Sequence, residues 1–96
     1  MDVEILRKAI EKFGIESQRL MAIEEMSELT KELCKNSRGF NNGSAISEEI
    51  ADVEIMLAQL KLIFNNDDEV ETFMAEKMSK LQWRVENHLK VQMRNL

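Results

Sequence analysis

The chain has no proline and no tyrosine, and only one cysteine, one histidine, one tryptophan and three glycines in 96 residues. Without proline, no position lacks the backbone N–H that a long helix needs. The wealth of Glu, Lys, Leu, Met and Ile favours helix further, because straight side chains lose little rotamer freedom there. The lone Cys34 excludes an internal disulfide and a multi-cysteine zinc site, and reads as an ordinary helix residue. The lone His88 has Val85 three residues before it, so the paired Glu-x-x-His signature of a di-metal carboxylate bundle is absent. A surplus of positive charge is missing too: the net charge of −5 argues against wrapping a phosphate backbone. No apolar run is long enough to cross a bilayer, and the N-terminus MDVEILRKAIEKF carries Asp and Glu where a signal peptide would be basic. These absences predict an all-α, cytoplasmic protein with no nucleic-acid and no membrane partner. At this length residues 1–96 make one domain with a marginal core, so self-association is expected.

Apolar periodicity then places four helices. Val3, Leu6, Ala9, Ile10 and Phe13 recur at helical spacing, with Asp2 as N-cap and Gly14 as stop. From about Glu16 to Asn36, Ala22, Met26, Leu29 and Leu33 form a single stripe. The loop SRGFNNG, residues 37–43, supplies positive φ and local side-chain turns. Ser44 or Ser47 is the expected cap of helix 3, whose apolar face includes Ile46, Ile50, Val53, Met56, Leu57, Leu60, Ile63 and Phe64. So wide a face predicts burial on several sides. Asn65 to Asp67 break the pattern, and helix 4 follows from about Asp68 toward Asn87 or beyond, with residues 90–96 expected to fray. The acidic run Asn65 to Glu71 lacks the glycine and ligand spacing of a calcium loop, so capping explains it better.

Some carboxylates stand where a solvated face would not put them. On a wheel of about 100° per residue, Glu49 falls inside the apolar arc of helix 3 and Asp52 at its edge. On helix 2, Glu25 adjoins the Ala22 and Met26 stripe, Glu28 and Glu32 continue along one flank, and Glu24 points away. Ionised carboxylates on core-facing borders need a positive partner. No lysine or arginine occupies the matching face of helix 3, so a cation answers the need, and a set of oxygen ligands suits Mg²⁺ or Mn²⁺.

These residues resemble the all-α nucleoside triphosphate pyrophosphohydrolases of the MazG and dimeric dUTPase superfamily, whose hallmark is EExxE followed by ExxD. Here the halves read Glu24-Glu25-Met26-Ser27-Glu28 and Glu49-Ile50-Ala51-Asp52, on consecutive helices with a turn-rich loop between them. The likeness runs from about Ile15 to Phe64. It implies a four-helix domain assembling into a dimeric or tetrameric bundle. It also implies Mg²⁺-dependent hydrolysis of a nucleoside triphosphate, with deoxynucleotides favoured, to the monophosphate and pyrophosphate. By the same resemblance Glu25, Glu28, Glu49 and Asp52 are the metal ligands, and Glu24 orients or activates water. Lys31, Lys35 and Arg38 are candidates for the phosphate tail, with solvated helix-end cations as the competing reading. Phe40 could stack a base or plug the core, and Asn42 could read a base edge.

Two alternatives stand beside this reading. Phosphoribosyl-ATP pyrophosphohydrolases share the size and similar carboxylate helices, but their second motif continues Leu-Leu-Tyr-His where this chain has Val53-Glu54-Ile55-Met56. The other is a non-enzymatic helical interaction module whose acidic residues form a partner surface; metal binding separates it from an enzyme.

Overall fold

The computed structural model describes residues 1–94, apart from the side chain of Val91. Among the described residues there is no strand. Five helices follow one another: α1 Val3–Phe13, α2 Ile15–Ser37, α3 Gly43–Phe64, α4 Asp67–Glu86 and α5 His88–Arg94. The all-α expectation holds; the count of four does not. Helix α4 ends at Asn87, whose backbone N–H makes the last helical bond to the Trp83 carbonyl at 2.9 Å while its side-chain Nδ2 donates to the same oxygen at 2.8 Å. An asparagine offers the backbone such local alternatives to a helical ladder. Of the tail expected to fray, residues 90–94 are helical, and residues 95–96 lie outside the described residues.

The chain divides into two compact units, Met1–Asn65 and Asn66–Leu96. In the first, α2 and α3 form a helical hairpin and α1 packs on both. Helix α1 begins as expected, with Asp2 Oδ1 accepting from the backbone N–H groups of Glu4 and Ile5. Gly14 separates α1 from α2 with no longer loop, at φ +90°. A side chain there would be strained, so glycine permits the abrupt change of direction.

The start of α3 departs from the expected capping. Neither Ser44 nor Ser47 caps it: Asn42 stands at the N-cap position without a side-chain cap bond, and the Ser47 hydroxyl donates back to the Gly43 carbonyl. Helix α3 begins at Gly43, so both serines lie inside it, where a hydroxyl bonds the carbonyl four residues back. The left-handed Asn65, φ +49°, closes the same helix.

Among the described residues only Leu6, Ala22 and Met56 are buried hydrophobic side chains, and two glutamines, Gln18 and Gln59, are buried with them. The broad apolar face of α3 is not enclosed on several sides within the chain. Ile50, Ile55, Leu57 and Phe64 are exposed, because α3 has only α1 and α2 as packing neighbours in its unit. In the second unit α4 packs with α5, and α4 has no buried residue. No described helix is long and apolar enough to cross a membrane.

Candidate metal centre

Two helices bring three carboxylates together. Glu25 of α2 and Glu49 and Asp52 of α3 each offer an oxygen, and these oxygens lie within 4.8 Å of one another. Glu49 and Asp52 are one turn apart on α3, so they share a face. The hairpin supplies Glu25 from the opposite side. All three side chains are half-buried, and Glu49 Oε2 is buried without a hydrogen-bond partner. Burial pushes the Glu25 carboxyl above its ordinary value of 4.5, and the negative charges of Asp52 and Glu49 push it further in the same direction.

The hairpin register is held at the loop end by a second network. Asn42 Nδ2 donates to the Glu32 backbone carbonyl at 2.9 Å and to Glu32 Oε2 at 2.7 Å. Asn36 Nδ2 in turn donates to Asn42 Oδ1 at 3.2 Å and to the Phe40 carbonyl at 3.4 Å. Lys35 Nζ approaches Glu32 Oε1 at 3.5 Å. The Asn42 bond, with lesser help from Lys35, holds the Glu32 carboxyl below its usual range. One side chain thus ties the first residues of α3 to the last turns of α2, and so fixes which carboxylates meet further along.

The remaining expected site residues are not among the three whose oxygens meet. Glu28 is exposed and stands outside the three-carboxylate group. Glu24 is exposed, in keeping with its place on the wheel. Lys31 and Arg38 are exposed; Lys35 is half-buried beside Glu32. Phe40 is 57 % exposed, so within this chain it plugs no core. The Asn42 amide is committed at both ends to hairpin bonds.

Sequence reasoning missed the buried glutamines. Gln18 lies seven residues before Glu25 and Gln59 seven after Asp52, the spacing of two turns on one helix face. Gln18 Nε2 and Gln59 Oε1 are buried without hydrogen-bond partners. The inner face of the hairpin is therefore polar well beyond the acidic cluster. The signal was legible: Gln18, Ala22 and Glu25 step by four and three, which puts the glutamine on the same buried border.

The donor set fits a hard divalent cation. Three carboxylates supply only oxygen, the ligand preferred by Mg²⁺ and Mn²⁺, and the buried, unpartnered oxygen of Glu49 lacks the donor that a settled carboxylate network would provide. Comparison with known proteins gave no family model, no curated protein and no solved structure that matches this chain.

Proposed function

We propose that this protein is a divalent-cation-dependent nucleoside triphosphate pyrophosphohydrolase of the MazG type, acting as a cytoplasmic homo-oligomer. The observation that carries the reading is the meeting of Glu25, Glu49 and Asp52 within 4.8 Å across the hairpin, with one oxygen of Glu49 buried and unpartnered. Like charges so close repel, and a cation held among them turns that repulsion into attraction. Glu25, Glu49 and Asp52 would hold Mg²⁺ or Mn²⁺, with Glu28 and Glu24 at the exposed rim. When bound, the cation neutralises triphosphate charge and lowers the pKa of a coordinated water.

The chain's own groups divide the remaining work. The half-buried carboxylates keep the centre anionic and rigid, since each projects from a long helix rather than a loop. Exposed Glu24 lies beside the centre in sequence and orients the attacking water. Lys31, Lys35 and Arg38 stand toward the loop end of α2 and would receive the far phosphates of the substrate. Phe40, exposed in the loop, offers a stacking face to a base. By the MazG resemblance water would attack the α-phosphorus and expel pyrophosphate, leaving the monophosphate, with deoxynucleotides preferred. The exposed apolar side chains of α3, Ile50, Ile55 and Leu57, support assembly into a dimer or tetramer.

The test is pyrophosphate release from a panel of ribo- and deoxyribonucleoside triphosphates with Mg²⁺ or Mn²⁺, alongside calorimetric titration of Mn²⁺ into the apo protein. Turnover that disappears in Glu49→Gln is the expected result. Neither metal binding nor turnover of any triphosphate would return the protein to the class of interaction modules.

A further inference from the structure

We propose that α4 is a self-association surface on which the α4 of a second copy of this chain lies antiparallel. This inference rests on the homo-oligomer half of the phosphohydrolase reading and not on its chemistry: an oligomer whose mass ignores changes in α4 would overturn the inference alone. Helix α4 carries Val70, Phe73, Met74, Met78 and Leu81 along one groove, with the stems of Lys77 and Arg84 completing it. Phe73, Met74, Met78 and Leu81 are all exposed, and so is Val85 beyond them. On a helix of 20 residues, about 30 Å long, this is a continuous apolar stripe rather than scattered single residues. Such a stripe marks an interaction site.

Charge identifies the occupant. The first half of α4 holds Asp67, Asp68, Glu69, Glu71 and Glu76 and no cation. From Lys77 onward the chain holds Lys77, Lys80, Arg84, Lys90 and Arg94 against the single carboxylate Glu86. Lys77, Lys80 and Arg84 line one concave surface together with Trp83. The segment is thus acidic at one end and basic at the other, with the apolar stripe running through both. Two copies laid antiparallel bring each acidic end onto a basic one. Laid parallel, they would set like charges side by side, which is repulsive. A two-fold pairing also makes the surface self-complementary, as a closed dimer interface requires.

The experiment uses the full chain. Light scattering at micromolar concentration gives the assembly mass, and Met74→Glu with Leu81→Glu is expected to halve it while circular dichroism keeps its helical signal. Lys80→Glu with Arg84→Glu leaves the apolar stripe intact and is also expected to halve the mass, which mixing with an Asp68→Lys, Glu71→Lys variant restores. Orientation is read by spin labels on Asp68→Cys in a Cys34→Ser background. An antiparallel pair crossing near Lys77 separates the two labels by about 30 Å, from 1.5 Å per residue along the axis and about 10 Å between axes. An assembly mass unchanged by both variants would overturn the proposal, as would labels closer than about 20 Å, the parallel outcome by the same geometry. A wild-type monomer whose melting temperature drops in Met74→Glu, Leu81→Glu would also overturn it, by showing α4 covered within its own chain.

Discussion

Both units of this chain leave large apolar side chains exposed, and they differ in that Met1–Asn65 also buries whole polar side chains. In Met1–Asn65 polar groups are taken inside: Gln18 and Gln59 are buried, Glu49 has a buried oxygen without a partner, and Glu25 is pressed between two other carboxylates. In Asn66–Leu96 apolar groups are left outside, with Phe73, Met74, Met78 and Leu81 all exposed on a helix that buries nothing. Each is a cost that a free-standing domain would not keep, since a buried charge needs a counter-charge and a large apolar stripe needs a cover. The two proposals follow from this difference: a hard cation would answer the buried oxygens of the first unit, and a second copy would answer the charge-polarised apolar stripe of the second.

The largest effect expected is on the buried carboxylates. Glu49→Gln and Asp52→Asn should each lower pyrophosphate release by about a hundredfold or more, the scale for removing a principal electrostatic contributor. The apo protein should melt at the same temperature or higher, because neutralising one member relieves repulsion among the three. Parallel loss of activity and melting temperature would instead make the cluster a structural network. Exposed Glu24→Gln and Glu28→Gln should cost less activity than either, which sharpens the contrast between the centre and its rim.

Next in size is the hairpin clamp. Asn42→Ala removes two bonds to Glu32 and the acceptor for Asn36, and should destabilise the fold by about 1–3 kcal/mol in urea unfolding. Phe40→Ala, at an exposed position, should leave stability unchanged and raise KM more than it lowers kcat, the pattern for lost uniform binding. A stability loss at Phe40 equal to that at Asn42 would mean the loop aromatic is packed rather than presented. Gly14→Ala places a side chain at φ +90° and should cost about 1 kcal/mol, measured by the same unfolding curves.

The smallest effect is a pH dependence of the apo protein, and its sign separates two glutamates. Glu25 has a folded pKa raised above 4.5, so its contribution to stability is fully present below 4.5 and is lost as pH rises through the folded value. Glu32 has a folded pKa below 4.5, so its contribution is present above 4.5 and is lost as pH falls through the folded value. Melting of the metal-free protein should therefore decline on the alkaline side of 4.5 and also on the acid side. Glu25→Gln should flatten the first decline, Asn42→Ala the second, and Mg²⁺ should reverse the first at neutral pH. If Glu25→Gln leaves the first decline untouched, the acidic cluster is not what loads the hairpin.

Much was already determined by the sequence. Composition and the 3.6-residue period identify the helices, because backbone bonds within a helix are local and the apolar stripe repeats regardless of what covers it. Glu25, Glu49 and Asp52 were legible as misplaced charges for the same reason, since each stands on or beside its own helix's apolar stripe. What only the tertiary structure decided is which of them meet. Glu28 shares a flank with Glu25, yet it is exposed and stands outside the group that Glu25 forms with Glu49 and Asp52. Asn42, expected to read a base edge, also bonds Glu32 ten residues earlier in the chain, a role that periodicity does not show. The break at Asn87 and the failure of Ser44 and Ser47 to cap α3 also depend on where a side-chain amide or hydroxyl finds its partner. Periodicity acts within one helix and can be counted along the chain; register, pairing and burial arise between segments, and are fixed only when the hairpin closes.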